Sequence, residues 1–236
     1  MTRLLITIPT WNEAVVIGKN LRVLQDAVSR YLPEHDVTIE VADNGSTDGT
    51  REIVRRIGAR LMEIPDRGKG LAIRRSWERH LDDADVLLFM DADLAAGLEA
   101  LPRLIRPILV GAADLVCGSR FVPGADVKRA PHRTAASYLY RLLQRLILRL
   151  PVTDAQCGFK AISSHAARAV LPRCREPGWM FDSELLGLAA RDNFRIREIP
   201  VSWIEHREPN RRSALRLFHH GWGFLTGLFR VRKALR

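Results

Sequence analysis

Cysteine is scarce in this 236-residue chain: Cys117, Cys157 and Cys174 are the three, and no two form a C-x-x-C pair. An odd, scattered set argues against a disulfide framework and fits a reduced, cytosolic compartment. Long apolar runs are missing too, none approaching the roughly 18 residues that span a bilayer. Met1-Thr2-Arg3-Leu4 runs straight into a predicted strand and leaves no room for a signal peptide. The expectation is a protein that is soluble or attached to a membrane surface. No G-x-G-x-x-G follows the first strand and no Walker sequence occurs, so dinucleotide and P-loop readings lose their main support. There is no internal repeat, low-complexity tract or linker.

Acid is missing locally. Residues 127–153 hold six Arg or Lys and no acid, and residues 207–236 hold eight against the single Glu208. They carry +6 and +7, so the surplus behind the net charge of +10 lies in these two segments. Such patches attract phosphates, whether in nucleic acid or in anionic lipid head groups.

What is present is a strand-helix alternation. Leu4–Ile8 reads as a first strand stopped by Pro9, with Asn12 as cap of a helix whose apolar residues Ile17, Leu21, Leu24 and Val28 share a face. A second strand over 37–42 leads through an Asp43–Thr50 turn into another helix. A short strand at 60–64 precedes Gly68-Lys69-Gly70 and a helix carrying Ile73, Trp77 and Leu81. Later elements are a Pro-interrupted helix at 98–110, strands at 114–117 and 196–203, and a helix opened by Asp182. The alternation predicts an α/β fold with a mostly parallel central sheet and helices on both faces. A hydrophobic content of 47% supports a core for one domain over 1–206, with a basic amphipathic helix over 207–236.

The sharpest chemical signal closes the fourth strand. Val86-Leu87-Leu88-Phe89-Met90 is apolar throughout, as in a strand buried on both faces, and Asp91-Ala92-Asp93 follows at once. Ligands of open α/β sheets bind at the carboxyl ends of the strands. Two carboxylates there can share one hard cation, Mg²⁺ or Mn²⁺, and bridge it to a diphosphate. A solvated acidic loop is the plainer alternative.

Two basic helices also allow two readings each. Over 139–150, Leu139, Leu142, Leu143, Leu146, Ile147 and Leu150 oppose Arg141, Arg145 and Arg149, which suits either a core helix with a solvated edge or a membrane contact. In the tail, Leu215, Phe218, Trp222, Leu225 and Phe229 form one apolar stripe beside a second of Leu217, Phe224, Leu228 and Val231. That pattern suits an interfacial helix, or a helix docked on the domain through close contacts at Gly221, Gly223 and Gly227.

Taken together, Ile8-Pro9-Thr10-Trp11-Asn12-Glu13, Asp43-Asn44-Gly45-Ser46-Thr47-Asp48, Gly68-Lys69-Gly70, Asp91-Ala92-Asp93, Gly118-Ser119-Arg120 and Asp154-x-Gln156-Cys157-Gly158-Phe159-Lys160 occur in the order seen in glycosyltransferase family 2. The chain resembles the polyprenyl-phosphate branch, the dolichyl-phosphate mannose and glucose synthases. Gln156–Lys160 with Trp179–Leu186 is most similar to the glucosyl members. The resemblance covers roughly 4–203 and implies a GT-A fold and an inverting transfer of a hexose from UDP-glucose or GDP-mannose to a polyprenyl phosphate. It implies a cytoplasmic enzyme, peripheral on an anionic membrane surface.

By the same resemblance, Asp91 and Asp93 hold the cation and, with Ala92, the donor. Pro9, Trp11, Glu13, Asp43 and Lys69 surround the nucleotide-sugar. Arg120, Arg133 and Arg207 grip phosphates, a task suited to guanidinium forks. Asp154 orients the acceptor or serves as a weak base. A phosphate acceptor has a second pKa near ~6 and needs little help from a base. Three departures stand out: Ala95 replaces a Gln that serves as an extra metal ligand, Ser213-Ala214 replaces Ser-Lys, and many relatives continue into transmembrane helices. A nucleic-acid binder would explain the charge but not the Asp-x-Asp, so no nucleic-acid partner is expected. A different, non-lipid acceptor or a catalytically silent relative are the remaining alternatives.

Overall fold

The computed structural model describes residues 1–128, 131–204 and 217–235. Its centre is a seven-stranded sheet in the order β3-β2-β1-β4-β7-β5-β8. The strands are β1 (Arg3–Thr10), β2 (Asp36–Asp43), β3 (Arg60–Glu63), β4 (Val86–Met90), β5 (Leu115–Ser119), β7 (Phe159–Ser163) and β8 (Ile196–Pro200). All neighbouring pairs are parallel except those of β7, which runs antiparallel to both β4 and β5. A small second sheet pairs β6 (Asp126–Lys128) with β9 (Ser202–Ile204). The single strand expected over 196–203 is thus two, broken at buried Val201, whose N–H still bonds to Ser119 while Asp126 bonds to its carbonyl.

Side-chain alternation along the strands sorts the core into two layers. Leu4, Ile6, Ile8, Val86, Leu88 and Met90 face α1 (Ile17–Tyr31), α2 (Thr50–Ile57) and α4 (Leu101–Leu109). Leu5, Leu87 and Phe89 face α3 (Lys69–His80), α6 (Ser164–Val170) and α7 (Phe181–Arg191). Pro102 sits at the start of α4 and Pro107 inside it.

A third, smaller cluster joins α5 (Pro131–Leu148) to α8 (Leu217–Ala234) beside α7. Leu148, Met180, Leu228 and Val231 are buried in it. Gly187 lies under Leu235 so closely that an added Cβ would fall 2.4 Å from its side chain, and at Gly227 it would fall 2.6 Å from Met180. The stripe of Leu228 and Val231 therefore docks on the domain, while Phe229 of the other stripe is 53% exposed. On α5 the apolar side splits: Leu143 and Ile147 pack toward α8, but Leu142 and Leu146 are 52% and 63% exposed. No helix among the described residues is long and apolar enough to cross a membrane.

Asn12 is not a helix cap. Its backbone is left-handed (φ 53°), its side-chain oxygen accepts the Thr47 N–H at 2.7 Å, and α1 starts at Ile17 without a side-chain cap. The cause is local: three loops converge there, and Asn12, which tolerates positive φ, pins two of them together.

Candidate functional site

Strands β1 and β4 lie side by side, and the chain moves outward from them in opposite directions. This is the topological switch point of the sheet, where the loops leave a crevice. Pro9 is buried at the carboxyl end of β1, and Trp11 follows it, with the Arg67 guanidinium 3.7 Å over its ring. The Glu13 N–H donates to Thr50 Oγ1 at 2.9 Å, and Asn12 N–H to Ser46 Oγ at 2.8 Å. Asp43, at the end of β2, is fully buried. Its Oδ1 accepts from Ser46 N–H at 3.1 Å and from Arg51 Nε at 2.5 Å, whereas its Oδ2 has no hydrogen-bond partner. A buried, orphaned carboxylate oxygen can accept from a base N–H or a ribose hydroxyl.

At the end of β4 the Asp91 N–H bonds to the Gly158 carbonyl at 3.1 Å, and the buried Ala92 carbonyl accepts from Asn20 Nδ2 at 2.8 Å. Asp93 Oδ1 accepts from Ala95 N–H at 3.2 Å. Leu94 is left-handed (φ 49°), a conformation that costs a bulky residue on the order of 1–3 kcal/mol and marks a turn over-determined by its surroundings. Those surroundings are Leu94 N–H to Asp91 carbonyl at 3.0 Å and Ile204 N–H to Ala95 carbonyl at 2.9 Å. Ala95 itself is buried against this loop.

Asp91 does not stand alone. The Lys69 ammonium, at the first residue of α3, lies 2.8 Å from Asp91 Oδ1 and 3.7 Å from Asp182 Oδ2. Asp182 Oδ1 in turn accepts from Lys160 Nζ at 2.5 Å, and Lys160 also donates to the Cys157 carbonyl. Both Asp182 and Lys160 are buried. Burial, with Asp93 close by, pushes the Asp91 carboxyl above its ordinary value, against the pull of Lys69. Gly158 presses on the same carboxylate: a Cβ there would fall 1.9 Å from Asp91 Oδ2.

Across β7, Arg120 follows β5 and clamps Asp154. Nε donates to Oδ2 at 2.7 Å, Nη2 to Oδ1 at 2.8 Å, and the Arg120 N–H to Oδ2 at 3.0 Å. The guanidinium also lies 4.8 Å from the Trp203 ring centre. Glu198 fixes the Asp154 loop by accepting from the N–H groups of Thr153 and Asp154 at 2.7 and 2.9 Å. Burial alone would raise the Asp154 carboxyl, yet the charge and hydrogen bonds of Arg120 outweigh it and hold the carboxyl below its ordinary value. Beside Thr153 opens a cleft of about 220 Å³ lined by Arg141, Gln144, Arg145 and Leu150.

The structure thus gathers Pro9, Trp11, Glu13 and Asp43 at one end of the crevice, and sets Lys69, Asp91, Ala92 and Asp93 beside the Arg120–Asp154 pair. Arg133 falls on the backbone of α5, with its side chain outside the description, and Arg207 and Ser213-Ala214 lie outside the described residues. Lys160, Asp182, Glu198, Trp203 and Arg67 were not expected here. Lys160 and Asp182 sit inside quoted motifs, and the available signal was a charged residue within otherwise apolar runs. Glu198 and Trp203 carried no such signal.

As for a cation, Asp91 and Asp93 are hard oxygen donors on one tight turn, which suits Mg²⁺ or Mn²⁺. Among the described residues no cluster of three or more His, Cys, Asp or Glu could hold a metal. Two carboxylates leave most of such a cation's coordination shell to other ligands.

A doubly wound sheet with a crevice at its switch point, and an acidic turn beyond the central strand, has the architecture of the GT-A glycosyltransferases. Residues 5–171 match the family described as Glycosyl transferase family 2, and the chain belongs to it. It is 35% identical over 204 residues to "Glycosyltransferase AglD" of Haloferax volcanii, covering 84% of this chain and 32% of that one. It is 35% identical over 212 residues to "Undecaprenyl-phosphate mannosyltransferase" of Micrococcus luteus, covering 86% and 84%. Against "Dolichyl-phosphate beta-glucosyltransferase" of Saccharomyces cerevisiae the identity is 31% over 226 residues, covering 85% and 66%. The chain therefore spans between a third and five-sixths of these relatives. Among solved structures, glucosyl-3-phosphoglycerate synthase from Mycobacterium tuberculosis, crystallised with Mn²⁺, UDP-glucose and phosphoglyceric acid, superposes with a TM-score of 0.73 at 21% identity. The match covers 98% of this chain and 80% of that one. The likeness extends to the fold.

Proposed function

We propose that this chain is an inverting hexosyltransferase that moves glucose or mannose from UDP-glucose or GDP-mannose to a polyprenyl phosphate, peripherally on the cytoplasmic face of a membrane. The carrying observation is the convergence at one crevice of a nucleoside cradle (Trp11, Asp43), an acidic turn (Asp91, Asp93) and a buried Arg120–Asp154 pair, in a chain similar to polyprenyl- and dolichyl-phosphate sugar transferases.

Asp43 Oδ2 and Trp11 bind and orient the nucleoside. Asp91 and Asp93 would hold Mg²⁺ or Mn²⁺, which would supply Lewis-acid stabilisation of the departing diphosphate. Arg120 presents cationic charge toward the acceptor phosphate, and Asp154 fixes its fork. An ionised acceptor is itself the nucleophile, so the site needs positioning and charge rather than a strong base. The cleft lined by Arg141 and Arg145 suits a phosphate with an apolar tail, because Leu150, Pro151 and Val152 form its other wall. Exposed Leu142 and Leu146 of α5 with exposed Arg145 and Arg149, and exposed Phe229 of α8, give these helices apolar and basic surface suited to anionic lipid.

The test is a donor screen: UDP- and GDP-sugars against short polyprenyl phosphates with Mn²⁺ or Mg²⁺. Labelled sugar entering the lipid phase is the expected result. Transfer to water-soluble phosphates alone would replace the lipid acceptor by another, and no transfer from any donor would point to a silent relative.

A further inference from the structure

Four charges run inward from the crevice in alternating sign: Asp91, Lys69, Asp182 and Lys160. Their spacing is uneven. Lys69 is in hydrogen-bond contact with Asp91 at 2.8 Å, while its distance to Asp182 Oδ2 is 3.7 Å, beyond a hydrogen bond. Asp182 is only 1% exposed and Oδ2 has no hydrogen-bond partner. Leaving a buried carboxylate oxygen unmatched is costly, and a native site tolerates it where another state satisfies the group. The other oxygen of Asp182 is already held by Lys160, so the carboxylate cannot turn away without parting a buried ammonium from its counter-charge.

We propose that Lys69 is a sliding counter-ion. In the structure its ammonium neutralises Asp91; with a divalent cation and the donor's diphosphate at Asp91, the ammonium would withdraw to Oδ2 of Asp182. Lys69 and Asp182 are then positioning residues that keep the buried charge balanced in both states. The inference rests on the cation reading given above.

The surroundings suit a short slide of a charged ammonium. Burial works against the charge of Lys69, but Asp182, and after it Asp91, outweigh burial and raise its pKa. Lys69 Nζ lies 5.1 Å from the Phe89 ring centre and 5.0 Å from that of Trp179, two faces that favour a cation along the path. The backbone does not need to move. Gly68 and Gly70 are wedged under the 176–178 segment, where a Cβ at Gly68 would fall 2.3 Å from the Pro177 carbonyl and one at Gly70 2.4 Å from Phe181 Cβ. Leu71 N–H bonds to the same Pro177 carbonyl at 2.9 Å. A fixed backbone and a long side chain leave the Nζ atom as the moving part.

The test is a double-mutant cycle read by Mn²⁺ binding without donor, using electron paramagnetic resonance of free Mn²⁺. Lys69→Met removes the competing ammonium while keeping the stem between Phe89 and Trp179, and should bind Mn²⁺ about tenfold tighter than the parent. Asp182→Asn should weaken Mn²⁺ binding about tenfold in the parent and by less than about twofold in Lys69→Met, because its effect passes through the lysine. Additive effects of the two substitutions would overturn the proposal. Should Asp182→Asn fail to fold, a crystal structure of the parent with Mn²⁺ and UDP decides. Lys69 Nζ within about 3 Å of Asp182 Oδ2 supports the slide, and Nζ still on Asp91 Oδ1 overturns it. If neither parent nor Lys69→Met binds Mn²⁺, with or without UDP, the cation reading itself falls and takes this inference with it.

Discussion

Arg120 grips Asp154 through two parallel side-chain hydrogen bonds, Nε to Oδ2 at 2.7 Å and Nη2 to Oδ1 at 2.8 Å. Both oxygens of the carboxylate are therefore committed, and the pair acts as one unit: Asp154 sets the direction of the guanidinium.

The first prediction concerns pH. With its folded pKa lowered by Arg120 against burial, Asp154 is ionised at every pH where the enzyme is assayed. The stability it adds is present above the unfolded carboxylate value of about 3.9 and is lost as pH falls through the lower folded value. The acid limb of kcat/KM should lie near ~6, where the acceptor phosphate dianion takes up a proton. In Asp154→Asn that limb should stay in place while transfer drops. A limb that moves with the substitution would make Asp154 the base instead.

Removing one charge from the acidic turn should be costly to chemistry and mild for folding. Asp93→Asn is expected to reduce transfer about a hundredfold, a loss of about 2.7 kcal/mol of charge stabilisation, with an unchanged melting temperature. Full activity of this variant in EDTA would refute the assignment of the turn to a cation.

Asp43 offers a test of the nucleoside cradle that needs no acceptor. Asp43→Asn keeps the shape but turns the vacant oxygen position into an amide, and should weaken UDP or GDP binding by about 1–3 kcal/mol in calorimetry. Equal affinity would remove Oδ2 from the donor site.

Gly158 tests the close support of Asp91. Gly158→Ala places a methyl 1.9 Å from Asp91 Oδ2, so the carboxylate must shift. We expect a stability loss of about 1–3 kcal/mol from overpacking, and loss of Mn²⁺ response beyond what that instability explains. Thermal melts with and without Mn²⁺ and UDP separate the two.

The lipid surface is best probed by exposed residues rather than by truncation, because α8 carries buried Leu228 and Val231. Leu146→Glu and Phe229→Glu should each reduce sedimentation with anionic vesicles at low salt and leave nucleotide binding intact. Unchanged sedimentation of the double variant would place the contact elsewhere.

Much of this was readable from residue order. Five apolar residues ending in Asp91-Ala92-Asp93 specify a buried strand and what it presents, since a strand covered on both faces reads as a continuous apolar run. Order along the sheet is not local, so the antiparallel insertion of β7 between β4 and β5 left no mark in the sequence. The break at Val201 was invisible for a similar reason: Ile196 to Trp203 has one composition but pairs with two different partners. The roles of Lys160 and Asp182 emerged only with the fold, because 22 residues separate the two ends of a single ion pair. Asn12 shows the opposite failure, a residue whose favourite local role was overridden by a loop across the crevice.

The docking of α8 also decides how the molecule would meet a bilayer. Fully burying a side chain such as Leu228 or Val231 contributes roughly 1.5–3 kcal/mol, so peeling both from Met180 and Leu148 costs more than one or two surface charges return at about 1 kcal/mol each. Adsorption then proceeds as a rigid body, with the α5–α8 pair as a preformed keel and no refolding on contact. Helicity would be the same in solution and on vesicles, and the membrane would read the outer surface of that keel, its Leu142, Leu146 and Phe229, rather than an unrolled helix.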